Sequence, residues 1–314
     1  MWPAPISYQE WKNRGDYYLW NGHKVFYRVI DKPDSEAQES LALEKSSSDK
    51  PVLLLIHGFP TAGWDWCWVT DTLCQYFTLI VPDLLDYGLS ENQYKRTCSI
   101  LDQAAMLEAL MRELGFDKAH ILAHDVGDTV AQELFAHQQA RNLDFRILSS
   151  VFLNGGMLPD LHRPRPAQLA LAGKLGWLWA RLVKREKMLA GFADVFGSNT
   201  RPEGEFLNEF WPVMKGENGR SSFARRIRYM LERKQYADRW VGALKGTTVP
   251  LILINGTADP VSGGHAADGF EKRIPNATVK RLDGIGHYPQ IEAPDDVLNH
   301  ILAFHNLDAS PDKA

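Results

Sequence analysis

Asp125 lies between an apolar run, Ala119-His120-Ile121-Leu122-Ala123, and a helical stretch beginning near Thr129. Two positions to either side stand small residues, Ala123 and Gly127, the small-x-nucleophile-x-small pattern of a sharp strand-to-helix turn. Such a turn strains its central residue, and Cβ groups two positions away would collide, so alanine and glycine are expected there. A carboxylate at that apex is ionised at neutral pH and is favoured by the helix start behind it. It can attack without a base first removing a proton. A helix N-cap aspartate has the same local pattern, so this segment alone leaves both readings open.

Two other segments weigh in. The apolar run Val52-Leu53-Leu54-Leu55-Ile56 ends in His57-Gly58-Phe59-Pro60. Gly58 would allow a tight turn that frees the Phe59 N–H, and with the Val126 N–H this forms an expected oxyanion hole, each donor worth about 3 kcal/mol in a transition state. His57 reads as a brace for this loop. Further on, Val249-Pro250-Leu251-Ile252-Leu253-Ile254 runs into Asn255-Gly256-Thr257-Ala258-Asp259, and Thr278-Val279-Lys280-Arg281-Leu282 precedes Gly284-Ile285-Gly286-His287, with Glu292 and Pro294 beyond. The chain order is Asp125, then Asp259, then His287, each at the end of its own strand.

Taken together, these motifs resemble the α/β-hydrolase superfamily, and within it the epoxide hydrolases and haloalkane dehalogenases, from about Tyr17 to about Phe304. A narrower resemblance is to the hydrolase-like proteins related to the vertebrate mesoderm-specific transcript product. It rests on His57-Gly58-Phe59-Pro60-Thr61, His124 to Leu134, Asn154-Gly155-Gly156, His162-Arg163-Pro164, Thr200-Arg201-Pro202 and Arg239 to Leu244. Asp128 stands where many epoxide hydrolases look small. The resemblance implies an α/β-hydrolase fold, a mostly parallel sheet flanked by helices, with an inserted helical cap. Core residues would be 1–156 and 245–314, and the cap 157–244.

The chemistry expected of an aspartate nucleophile is attack on an sp3 carbon bearing oxygen or halogen, giving an ester that water can cleave. His287, oriented by Asp259, would activate that water. In related epoxide hydrolases a cap tyrosine usually protonates the leaving oxygen. Tyr229 and Tyr236, seven apart on a helix expected over Ser222 to Arg239, would share a face, and Tyr229 is the preferred donor. Haloalkane dehalogenases look as if they need Asn after the His-Gly pair and Trp after the nucleophile. This chain has Phe59 and Val126, so that reading ranks second. Trp64 and Trp66, with Trp211 and Trp240, are candidates to line a substrate pocket. A third reading is a non-catalytic binding protein of the same fold. The other histidines, His124 and His265 included, read as structural or exposed.

The elements that must position these groups are legible from hydropathy. An alternating pattern around Asn21-Gly22 predicts a hairpin over Tyr17 to Ile30, and residues 31–50 read as an exposed insertion. Strands are expected at Val52 to Ile56, Thr78 to Val81, Ala119 to Ala123, Ile147 to Asn154, Val249 to Ile254 and Thr278 to Leu282. Helices are expected at Trp64 to Cys74, Ile100 to Leu114, Thr129 to His137 and Val297 to Phe304. Residues Met157 to Leu244 break this alternation. Within them, the apolar stretch Leu169 to Val183 reads as helix packed on the core, with an interfacial membrane helix as the alternative. The 314 residues carry 45% hydrophobic and 24% charged residues and a net charge of -4, ordinary for a globular protein and no case for nucleic acid; the resemblance implies a small-molecule substrate. Cys67, Cys74 and Cys98 lack metal-ligand spacing, and neither cofactor nor metal is expected. No signal peptide or transmembrane run is evident, which leaves a cytoplasmic protein as the expectation.

Overall fold

The computed structural model describes residues 3–34, 50–92 and 96–307. Eight strands make one sheet: β1 (Asp16–Trp20), β2 (His23–Ile30), β3 (Val52–Ile56), β4 (Thr78–Pro82), β5 (Lys118–His124), β6 (Arg146–Leu153), β7 (Leu251–Gly256) and β8 (Ala277–Leu282), in the order β1-β2-β4-β3-β5-β6-β7-β8. The first hairpin and the β2/β4 pair are antiparallel, and the remaining pairs are parallel. Every residue of β3, β4 and β7 is buried, as continuous apolar runs require when helices cover both faces of a sheet. At the edge, β8 alternates, which leaves Lys280 exposed. The hairpin turns on Asn21 and Gly22 at φ 48° and 82°, the left-handed pair that suits a two-residue loop.

Strand order decides where a site can form. β3 lies between β4 and β5, and the crossovers from β3 to β4 and from β5 to β6 run in opposite directions, so a crevice opens at the carboxyl ends of β3 and β5. Ile56 pairs with Ala123, which sets the His57-Gly58-Phe59 loop beside Asp125. The carboxyl ends of β6, β7 and β8 follow in adjacent positions.

Between β6 and β7 the chain inserts the helices Pro166–Ala172, Gly176–Leu182, Arg185–Ala193, Gly204–Lys215, Phe223–Arg226, Tyr229–Gln235 and Ala237–Gly246. The stretch Leu169 to Val183 is two short helices that bury Leu171, Gly176 and Ala180 and leave Leu169, Leu175, Trp177, Leu178 and Leu182 exposed. The helix expected over Ser222 to Arg239 is broken, with Tyr236 at φ -105° forming the joint between two helices. Of the proposed insertion 31–50, residues 35–49 lie outside the described residues, and Asp34 at its start is half-buried against Arg28, 2.7 Å away. No described helix is long and apolar enough to cross a membrane.

Candidate active site

Asp125 stands between β5 and the helix Val126–Gln139 at φ 48°, ψ -104°, a backbone conformation that costs a non-glycine residue about 1–3 kcal/mol. The strain lifts its side chain off the sheet end. Gly127 is indispensable for a reason beyond the one expected: a Cβ there would lie 2.2 Å from the Ile56 carbonyl oxygen, so it lets the helix start press onto β3. Gly58 likewise serves close approach, since a Cβ would meet the His124 ring at 2.4 Å and the Asp125 Cβ at 3.2 Å. The Phe59 N–H donates to Asp125 Oδ2 at 3.2 Å. The Val126 N–H heads the helix alongside but makes no hydrogen bond to this carboxylate.

His287 Nε2 is 3.9 Å from Asp125 Oδ2, and its Nδ1 is 2.7 Å from Asp259 Oδ2. Asp259 is itself fixed by Asn154 Nδ2 at 3.0 Å, the Ser262 hydroxyl at 2.7 Å and the Val261 N–H at 2.7 Å. Glu292, four residues beyond Tyr288, accepts the N–H groups of Gly286 (2.8 Å), Tyr288 (2.9 Å) and Gly197 (2.8 Å) and so ties both sides of His287 to the insertion. His124 Nε2 meets the His287 carbonyl at 2.7 Å. His57 takes the Leu84 N–H at 2.9 Å, the bracing role expected of it.

Burial pushes the His287 imidazole down, but the facing carboxylates of Asp259 and Asp125 outweigh it and raise its pKa to about 10. Burial pushes the Asp125 carboxyl up, but the facing His287 cation and the Arg233 guanidinium hold it well below the usual carboxylate range. At rest the site is therefore a carboxylate facing an imidazolium, with Asp259 behind.

From the insertion, the Tyr229 hydroxyl reaches Asp125 Oδ2 at 3.2 Å. Burial and the Asp125 charge push its pKa well up, so it keeps its proton. Arg233, one turn on, donates from Nη2 to Asp125 Oδ1 at 3.1 Å and to the Asp125 carbonyl at 2.7 Å, and from Nε to Thr129 at 2.8 Å. Nothing in the sequence marks Arg233, and only the folded insertion brings it to Asp125. Tyr236 is elsewhere, against the Trp240 ring. Trp64 and Trp66 are wholly buried core residues; Trp64 donates to the Ile6 carbonyl at 3.0 Å and packs on Tyr8, Trp68 and Phe210, so neither behaves as pocket lining. A cavity of about 10 Å³ is bordered by Leu85, Tyr87, Cys98, Val126 and Tyr229, roughly the room of one water.

Residues 51–294 match the family described as alpha/beta hydrolase fold. The mesoderm-specific transcript homolog protein of Homo sapiens is 34% identical over 304 residues, covering 94% of this chain and 87% of the relative. Among solved structures, the epoxide hydrolase CorEH superposes with a TM-score of 0.70 at 20% identity, over 93% of this chain and 98% of that one. A haloalkane dehalogenase variant from Bradyrhizobium elkanii gives 0.69 at 21%, over 93% and 97%.

Proposed function

The chain belongs to the α/β-hydrolase fold family, and on that premise we propose that it is a hydrolase working through a covalent ester on Asp125, with epoxides of small apolar or lipid-like molecules as substrates. The observation that carries the reading is the pairing on one carboxylate: the Tyr229 hydroxyl at 3.2 Å and the His287 imidazole at 3.9 Å flank Asp125. A nucleophile, a proton donor and a latent base thus meet at one point.

In the first half-reaction Asp125 attacks the epoxide carbon, the C–O bond breaks, and the leaving oxygen takes the Tyr229 proton. The new ester carries no charge. One of the two anions that held the His287 proton has then gone, so that proton passes to the Tyr229 phenolate, which restores the tyrosine hydroxyl and leaves a neutral imidazole able to act as a base. In the second half-reaction His287 takes a proton from water, which adds to the Asp125 carbonyl carbon while the Phe59 N–H holds the oxygen. Collapse returns the diol and the carboxylate.

Phe59 and Val126 stand where halide-binding Asn and Trp would be wanted, which favours epoxide over haloalkane chemistry. Against a merely ligand-binding homologue stands the intact Asp259–His287 pair at 2.7 Å. Single turnover of an epoxide in 18O-water tests the reading. Label should appear in the Asp125 carboxylate, and Asp125→Asn should lose about 10⁴-fold in turnover while remaining folded. Label in the diol alone, or an active Asp125→Asn variant, would exclude the ester.

A further inference from the structure

Arg233 is wholly buried, and two of its three guanidinium nitrogens are engaged by Asp125 and Thr129. The third, Nη1, has no hydrogen-bond partner among the described residues, nor do the two ring nitrogens of His162 or the two carboxyl oxygens of Asp128. These atoms gather around Gly155-Gly156. A Cβ on Gly156 would lie 2.6 Å from Arg233 Nη1 and 2.7 Å from His162 Nδ1, and one on Gly155 would lie 1.9 Å from Asp128 Oδ2. Burial and the Arg233 charge push the His162 pKa down to about 4, and burial together with Asp125 pushes the Asp128 carboxyl well up. His162 is then neutral and can donate a hydrogen, as Arg233 does, and the Asp128 carboxyl is shifted toward its protonated, donating form. A buried corner of donors with unused capacity is a place for an anion.

We propose that this corner, led by Arg233 Nη1, holds the negative oxygen that leaves the substrate carbon. The inference rests on the ester reading above and deepens it. As Asp125 bonds to carbon, the C–O electron pair goes to the leaving oxygen, and the negative charge moves with it until Tyr229 supplies a proton. Arg233 is paired with Asp125 before the step. Its free nitrogen can follow that charge without the buried cation ever being left alone, a situation that is costly at low dielectric.

Two measurements decide it. Asp125→Asn mimics the uncharged ester, so this variant should bind acetate at least about tenfold more tightly than the wild type, and Asp125→Asn/Arg233→Met should lose that gain. Equal acetate affinity in the single and double variants overturns the anion site whether or not an ester forms. In rapid quench with an epoxide, Arg233→Met should slow ester formation about 10²-fold or more and leave ester hydrolysis unchanged, with partial rescue by Arg233→Lys. Equal slowing of both steps overturns it in favour of a positioning role. Failure to detect any ester in the wild type would instead sink the ester reading, while the acetate result still judges the corner.

A different observation carries a second inference. The outer face of the insertion exposes Leu169 (55%), Leu175 (66%), Trp177 (50%) and Leu182 (72%) within fourteen residues. From Leu161 to Arg185 the chain has six Lys or Arg residues and no Asp or Glu, against a net charge of -4 for the whole; Lys174, Arg181 and Lys184 are exposed beside the apolar side chains. We infer that this face docks on an anionic lipid bilayer, the partner that combines apolar depth with negative charge. Flotation should carry the protein upward with phosphatidylcholine vesicles containing phosphatidylserine, and less so at high salt. The triple variant Leu175→Ser/Trp177→Ser/Leu182→Ser should stay in the aqueous fraction. A wild type that never floats overturns the inference, as does a triple variant that floats equally. So does a dimer in size exclusion that these substitutions dissolve, because the face would then belong to a second copy.

Discussion

At the scale of single residues, the charge state of His287 is the feature to test. Its proton is held by two carboxylates, and its pKa of about 10 stands above the usual 6.5. A raised folded-state pKa stabilises the protein fully below about pH 6.5, and that contribution is lost as pH climbs through about 10. NMR titration of the His287 ring should show the high value in the wild type and a lower one in Asp125→Asn, since one anion has been removed. The loss of stability at alkaline pH should start earlier in that variant. An unchanged ring titration would mean that Asp125 does not hold the proton. Tyr229→Phe should lower the rate of ester formation about 10²-fold on epoxides and much less on substrates with better leaving groups; an equal effect on both would remove Tyr229 as acid. Asp125, Asp259 and His287 were legible because each follows an apolar strand within a short motif. Arg233 was not, being one of 35 Lys and Arg residues with no local pattern, and its importance arises only from tertiary contact.

At the scale of elements, legibility followed burial. β3, β4 and β7 are buried at every position, so unbroken apolar runs announced them. Trp64 and Trp66 misled because a large apolar side chain looks alike in a core and in a pocket, and Tyr236 misled because helical spacing says nothing about a break at the residue itself. Gly127 shows the reverse case, a correct residue with an incomplete reason. Its constraint comes from β3, the neighbouring strand, through the 2.2 Å approach to the Ile56 carbonyl, and no periodicity within one segment reveals that. Gly127→Ala should therefore force the helix Val126–Gln139 away from β3. The expected cost is about 1–3 kcal/mol of stability, measured by denaturant unfolding, with a larger loss of activity because Asp125 and the Phe59 N–H would separate. Activity that falls only in proportion to the folded fraction would show that this contact does not set the elbow.

At the scale of the whole molecule, the insertion and the sheet are clamped together around Asp125. Arg225 forks onto Asp86 at 2.9 and 2.7 Å, Arg226 donates to the Pro60 carbonyl at 3.0 Å, and Glu133 takes Arg239 at 2.8 Å and the Trp240 indole at 2.6 Å. The motif around Glu133 and the motif Arg239 to Leu244, distant in sequence, are thus two halves of one joint. The cavity of about 10 Å³ beside Tyr229 has room for about one water, so a substrate entering there calls for Tyr229 or its helix to withdraw. Opening must break some clamps while the sheet stays intact, which makes residues 223–246 a unit of lower local stability than β3 to β7. Arg225→Met removes one of these clamps, four residues before Tyr229. Asp86, which burial already pushes toward its neutral form, can protonate and limit the damage to this joint. Hydrogen exchange in that variant should therefore speed up at least about tenfold in amides of 223–246 and remain unchanged in the strands. If substrate entry limits turnover, kcat/KM should rise with this exchange rate across a series of clamp substitutions. Faster exchange spread evenly through sheet and insertion would mean that the two open only by global unfolding, and a rigid insertion could then admit no substrate to Asp125.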